Sequence, residues 1–332
     1  MKSLAIVGAG SWGTALAIVL APKFERIRLW VYEADLAARI AETRENETYL
    51  PGFLLPANVE ITNTIEETVR DAAIILSAVP SPFLRPVYQR IGPASRTDTI
   101  FVSATKGIEA QTLQRPSEII AEVVSRYFPP RITVLSGPSF AREVASLNPT
   151  ALVVGSDDAS AAQCVQSAFS SPSFRLYTSA DPIGVEIGGS IKNVVAIGAG
   201  VVHGLSLGHN AMAALITRGL AEITRLAVAL GAKAPTLSGL AGLGDLVLTC
   251  TGELSRNRAV GLELARGRKL EDIIDSMRMI AEGVKTTAST WELARRHSVE
   301  MPITGQMYQM LELNLPPREA VRRLMERSLR GE

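Results

Sequence analysis

The chain has 332 residues, of which 47% are hydrophobic and 20% are charged, so intrinsic disorder is excluded as its main state. This length predicts about two domains, each long enough to bury a core. Lys and Arg together number 34 against 33 Asp and Glu, and this balance provides no overall attraction to nucleic acid or to an anionic membrane.

The first 33 residues follow the order of a dinucleotide-binding unit. Residues 3–7 are an apolar run of strand formers, a glycine-rich turn and a helical stretch follow, and residues 27–32 form a second strand pattern. Glu33 ends that pattern about twenty residues after the glycines, where an acid can bind a ribose hydroxyl group. The order strand, turn, helix, strand predicts a Rossmann-type unit and not a glycine turn of another kind.

The glycine turn has the spacing G-x-G-x-x-G at Gly8, Gly10 and Gly13. Gly8 permits the tight turn, Gly10 lets the backbone approach a pyrophosphate, and Gly13 lets the helix pack on the strand. The N-terminus of the helix then presents N–H groups and a partial positive charge to the phosphates. These glycines are therefore predicted to bind a dinucleotide cofactor.

The apolar N-terminus also imitates a secretory signal, but its glycine spacing divides it into a strand and a helix. No uninterrupted apolar segment reaches the ~18 residues that a membrane span requires. The two cysteines, Cys164 and Cys250, are too few for a disulfide framework, which favours a reducing compartment. We therefore expect a cytoplasmic protein.

Five further strand patterns follow at regular intervals, at residues 59–62, 73–79, 99–104, 132–136 and 152–154. Helical stretches such as residues 65–71 and 116–127 alternate with them. This alternation predicts the α/β class, with a doubly wound sheet that binds ligands at the carboxyl ends of its strands. Beyond residue 181 the periodicity is helical. We therefore predict a Rossmann dinucleotide-binding domain at residues 1–181 and an all-helical substrate-binding and catalytic domain at residues 182–332.

Residues 185–202 are nearly apolar all round, which predicts a buried helix at the start of the second domain. Lys192 in this stretch must be ion-paired, reach solvent, or take part in chemistry, because desolvating its charge is costly. Gly188 and Gly189 precede it by one turn and indicate that another group approaches the backbone closely. The alternative is a core helix with tightly packed glycines and a lysine that reaches water.

Three polar segments are further candidates, and each has a structural alternative. The Ser-Gly-Pro-Ser turn at residues 136–139 could bind a ligand oxygen or serve as an ordinary turn. Asp245 follows two glycines and could equally cap a helix. Residues 255–257 combine a hydroxyl, a guanidinium and an amide, which suit a phosphate but also a solvated loop. The three histidines have no metal-ligand spacing, so we expect no metal site.

Taken together, the motifs resemble those of the bacterial NAD(P)-dependent sn-glycerol-3-phosphate dehydrogenases over almost the whole chain. The resemblance rests on residues 8–16, 49–51, 104–107, 136–141, 189–194, 239–251, 255–258 and 282–283. It implies a Rossmann domain followed by an all-α domain of the 6-phosphogluconate-dehydrogenase C-terminal type, usually in a homodimer. It also implies reversible reduction of dihydroxyacetone phosphate to sn-glycerol 3-phosphate by hydride transfer from NADH or NADPH, which supplies glycerophospholipid synthesis.

The resemblance further implies roles for individual residues, with Lys192 as the acid/base group on the substrate oxygen. The implied substrate contacts are Lys106, Gly137, Ser139, Lys192, Asn193, Asp245, Thr249, Ser255, Arg256 and Asn257. The implied cofactor contacts, beside the three glycines, are Ser11, Trp12, Lys106, Ala141, Arg256, Ile280 and Glu282. Burial and a second cation such as Lys106 would both favour the neutral amine of Lys192.

One departure from the family pattern concerns the choice between NAD and NADP. Many members carry a basic or imidazole side chain after the second strand, whereas this chain has Tyr32 and Glu33. Tyr32 supplies no charge for a 2′-phosphate, and Glu33 would bind a free ribose 2′-hydroxyl and repel a phosphate. Both residues are predicted cofactor contacts, and the cofactor preference stays open.

Two alternative functions also stay open. The first is a β-hydroxyacid dehydrogenase, which has a similar two-domain plan and a lysine–asparagine pair but acts on carboxylates. The second is a catalytically silent NAD(P)-sensing protein, which would need neither a buried lysine on a helix that faces the cofactor cleft nor a phosphate-binding Arg256–Asn257 pair.

Overall fold

Eight strands form one sheet in the N-terminal part of the chain. They are β1 Ser3–Val7, β2 Arg26–Trp30, β3 Val59–Thr62, β4 Ile74–Ser77, β5 Ile100–Ser103, β6 Arg131–Ser136, β7 Thr150–Gly155 and β8 Phe174–Ser179. Their order across the sheet is β3-β2-β1-β4-β5-β6-β7-β8. Neighbouring strands are parallel, except that β6 and β7 are antiparallel. The predicted α/β class with a Rossmann-type sheet is confirmed, and the antiparallel pair is an addition to it.

The computed structural model describes residues 3–277 and 281–329, which fall into two compact units. The first unit contains Met1–Lys106 and Gln114–Glu186, and the second contains Gly107–Leu113 and Ile187–Glu332. The short segment after Lys106 therefore belongs to the second unit, although the residues on both sides of it belong to the first. The division of functions between residues 1–181 and 182–332 stays a prediction.

Alternate residues of the central strands supply two apolar cores in the first unit. Leu4 and Ile6 of β1 pack in one cluster, and Ala5 and Val7 of the same strand pack in the other. This alternation follows from the two-residue repeat of a strand. Strands β4 and β5 are buried along their whole length, as expected of parallel strands that are covered on both faces.

Seven α-helices accompany the sheet. They are α1 Ser11–Leu20, α2 Ala34–Thr43, α3 Ile65–Val69, α4 Leu84–Ala94, α5 Pro116–Val124, α6 Ala141–Ala145 and α7 Ala159–Phe169, with short 3₁₀ turns at Ala21–Lys23 and Ser81–Phe83. Helix α1 is mostly apolar, and its buried hydrophobic residues join the same core cluster as Leu4 and Ile6. This packing fixes the N-terminus of α1 directly after Gly10, the second glycine of the turn.

The rest of the described chain is helical. The helices are α8 Pro182–Gly204, α9 Gly208–Ala229, α10 Ala234–Leu237, α11 Asp245–Thr251, α12 Arg256–Ala265, α13 Leu270–Ser276, α14 Glu282–Arg296, α15 Pro302–Glu312 and α16 Pro317–Met325. A single π-helical turn, Leu240–Gly244, precedes α11. Residues 205–277 and 281–329 contain no strand, so the predicted helical character of the second part is confirmed.

Helix α8 is the most buried long element, and residues 184–202 have no exposed member. Its glycines allow backbones to meet, because a Cβ at Gly200 would lie 2.0 Å from the carbonyl oxygen of Arg258. By length and composition α8 is apolar enough to cross a membrane, although Glu186 and Lys192 interrupt its apolar run. Its most apolar stretch is wholly buried in protein, as in the core helix of a globular fold.

Candidate active site

The glycine turn after β1 divides into two crowded positions and one open position. Gly8 has φ +108°, and a Cβ on it would lie 2.9 Å from Val79 Cγ1. A Cβ on Gly13 would lie 1.8 Å from the carbonyl oxygen of Gly8, whereas nothing lies within 4 Å of a Cβ on Gly10. Only Gly10 therefore borders open space, as the predicted approach of a pyrophosphate requires.

Helix α1 begins beside this open position. Gly10 is its N-cap and makes no side-chain hydrogen bond, since it has no side chain. Ser11 and Trp12 form the first turn, where backbone N–H groups lack carbonyl partners within the helix. These features fit a bound pyrophosphate, because an anion at a helix N-terminus receives those N–H groups and the favourable end of the helix dipole.

Tyr32 and Glu33 follow β2 and lie at the surface. Tyr32 is 74% exposed, and its backbone oxygen accepts a hydrogen bond of 2.8 Å from Asn63 Nδ2. Glu33 Oε1 accepts a hydrogen bond of 2.9 Å from the hydroxyl of Tyr49. Burial, together with the Glu33 carboxylate, raises the pKa of Tyr49 above its usual 10.0, so the phenol remains a donor at neutral pH.

Four other predicted residues follow β5 and β6. Lys106 comes three residues after β5, while Gly137 and Ser139 follow β6 and Ala141 begins α6. Gly137 has φ +142°, and a Cβ on it would lie 2.8 Å from a side-chain carbon of Leu152. Ser139 Oγ donates a hydrogen bond of 3.0 Å to the Gly137 carbonyl. The turn is therefore required by the fold, whether or not it also binds a ligand.

All these first-unit residues lie at one edge of the sheet. Strands β1, β2, β5 and β6 run in the same direction, so their carboxyl ends meet at a common edge. This edge carries the glycine turn, the Tyr32–Glu33 pair, Lys106 and the Ser-Gly-Pro-Ser turn. Ligands of doubly wound sheets bind at the carboxyl ends of the strands.

In the second unit, Lys192 of α8 binds two side chains of α11. Its Nζ donates to a carboxylate oxygen of Asp245 and, at 2.7 Å, to the hydroxyl of Thr249. Thr249 in turn donates to the backbone oxygen of Asp245 at 2.7 Å. All three residues are buried, with Asp245 fully so. The carboxylate favours the charged ammonium, an effect opposite in sign to the burial expected to neutralise it.

The glycines before Lys192 explain how α8 comes so close to α11. A Cβ on Gly188 would lie 2.6 Å from the carbonyl oxygen of Ala241, in the π-helical turn that leads into α11. The close approach predicted at Gly188 is therefore confirmed, and the approaching group is protein backbone. Asp245 is the first residue of α11, but Gly244 occupies the N-cap position, so Asp245 is not the cap.

A second contact group joins α8, α12 and α14 around Gly283. The Gly283 N–H donates to Asn257 Oδ1 at 2.9 Å, and a Cβ on Gly283 would lie 2.7 Å from both that oxygen and the carbonyl of Asn193. Ser255 is the N-cap of α12, where its Oγ accepts a hydrogen bond of 3.3 Å from the Arg258 N–H. Ser255 and Asn257 therefore have structural roles in addition to any ligand contact.

Arg256 and Glu282 are the first residues of α12 and α14. Both are partly buried, and they complete the second-unit residues that the sequence predicts. Ile280, a predicted cofactor contact, lies outside the described residues. Lys192 and Asn193 are consecutive on α8, so each of the two contact groups includes one of these neighbouring residues.

Two residues near the glycine turn have no predicted role. Asn46 is fully buried and donates to the carbonyl oxygen of Ala9, and Tyr49 binds Glu33. Tyr49 belongs to a segment that carries the family resemblance, which was the available signal. Their partners are 37 and 16 residues away in the chain, and local periodicity cannot indicate such contacts.

No group of three or more His, Cys, Asp or Glu side chains that could hold a metal ion occurs within residues 3–277 and 281–329. Cys164 and Cys250 are both free thiols. Burial raises the pKa of Cys250 to about 12, so this thiol stays protonated. The donors among the second-unit candidates are the Lys192 amine, the Arg256 guanidinium, the Asn257 amide, hydroxyls and backbone N–H groups, which suit oxygen ligands of an organic phosphate.

Comparison with known proteins gives one family for both parts of the chain. The model of the NAD-dependent glycerol-3-phosphate dehydrogenase N-terminus matches residues 3–162, and the model of its C-terminus matches residues 181–322. A glycerol-3-phosphate dehydrogenase (NAD(P)+) of Koribacter versatilis is 52% identical over 329 residues, covering 98% of each chain. The corresponding protein of Geobacter sulfurreducens is 50% identical over 331 residues, covering 100% of this chain and 99% of its own.

A solved structure agrees with these relatives. The crystal structure of glycerol-3-phosphate dehydrogenase from Coxiella burnetii matches with a TM-score of 0.94 and 40% identity, covering 98% of this chain and 99% of that chain. The similarity thus extends over both units and includes every segment that carries the sequence resemblance. The chain belongs to the NAD-dependent glycerol-3-phosphate dehydrogenase family.

Proposed function

We propose that this protein catalyses the reversible reduction of dihydroxyacetone phosphate to sn-glycerol 3-phosphate with NADH or NADPH. One observation carries the proposal: the buried ammonium of Lys192, which Asp245 and Thr249 hold in place. The named activity of full-length relatives at 50–52% identity supports the same reaction. Its product would supply glycerophospholipid synthesis.

The nicotinamide cofactor, when bound, supplies or accepts the hydride. The residues proposed to hold it in the first unit are those of the glycine turn, Ser11, Trp12, Tyr32, Glu33, Lys106 and Ala141. Gly10 has the open space that a pyrophosphate needs, and Glu33 presents a carboxylate that a ribose hydroxyl can reach. In the second unit, Arg256, Ile280 and Glu282 are the proposed cofactor contacts.

Lys192 is the proposed acid/base group. During reduction of a ketone, negative charge develops on the carbonyl oxygen, and an ammonium within hydrogen-bond reach stabilises this charge and donates the proton. The Asp245 carboxylate accepts a hydrogen bond from this amine, and the Thr249 hydroxyl limits its orientation. In the reverse direction the neutral amine takes the proton from the alcohol.

The start of α12 is the proposed phosphate site. Arg256 offers a planar fork of donors, and its position at a helix N-terminus adds N–H groups and the positive end of the helix dipole. Ser255 and Asn257 flank it. The remaining proposed substrate contacts are Lys106, Gly137, Ser139, Asn193, Asp245 and Thr249, which would orient the three-carbon chain.

We also propose that the protein works in the cytoplasm as a homodimer. The free thiols of Cys164 and Cys250 are compatible with a reducing compartment. The dimer rests on the family resemblance. An initial-rate assay with dihydroxyacetone phosphate, run in parallel with NADH and NADPH, tests the reaction itself. A higher kcat/KM for 3-hydroxy acids than for the phosphate substrate would contradict it.

Lys192→Met separates catalysis from cofactor binding. We expect kcat to fall by about 10²- to 10⁴-fold, the usual contribution of a general acid, while the Kd for NADH changes less than about threefold. Steady-state kinetics and NADH fluorescence titration measure the two quantities.

The matched control is Lys269→Met, which makes the same chemical change at an exposed position before α13 and should leave both quantities unchanged. Because removing one partner of a buried ion pair destabilises a fold, circular dichroism must show that the Lys192→Met protein is folded at the assay temperature. Turnover within tenfold of the wild-type rate would reduce the Lys192–Asp245 pair to a structural role.

A further inference from the structure

We propose that Tyr49 positions the carboxylate of Glu33 and thereby sets a preference for NAD over NADP. This inference rests on the proposed function, because it requires that the glycine turn and Glu33 bind the dinucleotide. Tyr49 acts through Glu33 and is a positioning residue. Its effect should therefore appear in the discrimination between the two dinucleotides and leave the chemical step unchanged.

The turn that carries Tyr49 is anchored to the glycine turn. Asn46 is fully buried, and its Nδ2 donates at 2.8 Å both to the carbonyl oxygen of Ala9 and to the hydroxyl of Thr14. The Tyr49 N–H donates back to Asn46 Oδ1 at 3.1 Å, and the Leu50 N–H donates to the Asn46 carbonyl at 2.8 Å. The backbone of Tyr49 is thus fixed relative to the same turn that is proposed to bind the pyrophosphate.

The side chain of Tyr49 is fixed as well. Its ring packs against the core cluster that contains Leu36 and Leu50, and its hydroxyl reaches Glu33 Oε1 at 2.9 Å. Glu33 itself is exposed, and a free glutamate there would sample several rotamers. The phenol therefore selects one carboxylate orientation. It occupies Oε1 and leaves Oε2 to accept a hydrogen bond from a ribose 2′-hydroxyl.

The charges around this position oppose a 2′-phosphate. The residues that follow β2 include two acids, Glu33 and Asp35, and residues 31–38 contain no Lys, Arg or His. A phosphate on the 2′-oxygen would meet the Glu33 carboxylate without a cation from this segment to offset the repulsion. A fixed carboxylate both attracts the hydroxyl and repels the phosphate more strongly than a mobile one. The Tyr49 hydroxyl should therefore strengthen both this attraction and this repulsion.

The experiment is a double-mutant cycle on the specificity ratio, defined as kcat/KM with NADH divided by kcat/KM with NADPH. The wild-type ratio should exceed about tenfold. Tyr49→Phe removes only the hydroxyl, and we expect it to lower the ratio by about three- to tenfold, the value of one hydrogen bond, with kcat at saturating NADH unchanged. Glu33→Ala should lower the ratio at least as much.

In the Glu33→Ala background, Tyr49→Phe should change the ratio by less than about twofold, because the group that it positions is gone. The matched control is Tyr127→Phe, an exposed tyrosine outside the proposed site, which should not change the ratio. A wild-type preference for NADPH, an unchanged ratio in Tyr49→Phe, or an equal effect of Tyr49→Phe in both backgrounds would overturn the proposal.

Fluorescence titration of the wild-type protein with each dinucleotide, without substrate, separates this proposal from the one on which it rests. If neither dinucleotide binds, the proposed function fails together with the role of Tyr49. If NADH binds and supports turnover but Tyr49→Phe leaves the specificity ratio unchanged, only the proposed role of Tyr49 fails.

Discussion

Gly10 and Gly13 belong to one motif but meet different physical requirements. The backbone at Gly10 has φ −68° and ψ −178°, which alanine adopts without strain, and its missing Cβ faces open space. The missing Cβ of Gly13 faces the carbonyl oxygen of Gly8 at 1.8 Å. Sequence spacing identified both positions, but only the contacts show that Gly13 is required by the fold and that Gly10 borders open space.

Alanine at these two positions should therefore give opposite results. Gly10→Ala should leave the free energy of unfolding within about 1 kcal/mol of the wild-type value, because the backbone conformation is compatible with alanine. It should weaken NADH binding at least tenfold, since the methyl group would occupy the space of the pyrophosphate. Gly13→Ala should destabilise the protein by about 1–3 kcal/mol through overpacking.

Chemical denaturation and NADH titration of the two variants measure these effects. A Gly10→Ala protein that binds NADH normally would place the pyrophosphate elsewhere. A Gly13→Ala protein as stable as the wild type would show that α1 can shift away from β1 at little cost. The first result would contradict the proposed role of Gly10 in cofactor binding, and the second would contradict the role of Gly13 in packing α1 against the turn.

At the scale of elements, the long apolar pattern of residues 185–202 predicted helix α8 well, because burial of a helix on all sides leaves a clear signal in sequence. That pattern did not predict the hydrogen-bond partners of Lys192. Its partner Asp245 is 53 residues away, and the π-helical turn that brings the two together depends on glycines in two separate segments. Tertiary contacts of this kind have no local periodicity.

The N-cap of helix α7 should make the stability of the fold depend on pH. Asp158 is its N-cap and accepts hydrogen bonds from Arg131 Nε at 2.8 Å, from Ser160 Oγ at 2.7 Å and from the Ala161 N–H at 3.0 Å. These donors, Arg131 foremost, hold the pKa of Asp158 well below its usual 3.8. A lowered native pKa stabilises the fold at pH values above 3.8, and this contribution is lost as the pH falls below that value.

Asp158→Ala should thus lower the free energy of unfolding by about 1 kcal/mol at pH 7, which is the usual contribution of a helix cap. The ion pair with Arg131 should add little to this loss, because both side chains are partly exposed. The difference from the wild type should shrink as the pH falls below about 3.8, where the unfolded carboxylate becomes protonated while the native one, with its lowered pKa, stays ionised. Asp158→Asn keeps the cap and is the matched control. Urea unfolding at a series of pH values measures the difference, and a constant difference down to pH 3 would contradict the assignment.

At the scale of the whole molecule, the α/β class and the helical second part follow from the sequence because alternating strand and helix patterns allow few topologies. Two features do not follow. The antiparallel pairing of β6 and β7 reverses the last two strands, although β7 has the same apolar pattern as a parallel strand. Residues 107–113 belong to the second unit, and the Gly107 N–H donates to Ser190 Oγ of α8, a contact across 83 residues.

The assignment of the glycine turn to the first unit and of Lys192 to the second predicts that cofactor binding and catalysis can be lost separately. A ligand that binds only the native state stabilises it by about 2.7 kcal/mol at 100 times its Kd. NADH at that concentration should therefore raise the unfolding temperature of the wild type and of Lys192→Met equally. It should stabilise Gly10→Ala at most about half as much, because binding that is at least tenfold weaker leaves no more than about 1.4 kcal/mol at the same concentration.

Scanning calorimetry with and without NADH tests this prediction, and it resolves separate transitions if the two units unfold independently. Lys269→Met, with its lysine removed from an exposed position, should show the full wild-type shift. A smaller rise in the unfolding temperature of Lys192→Met would mean that this lysine contributes to dinucleotide binding. The lower turnover of the variant would then not be evidence that Lys192 is the general acid. A full shift in Gly10→Ala would mean that NADH does not depend on the glycine turn, and the assignment of cofactor binding to the first unit would fail.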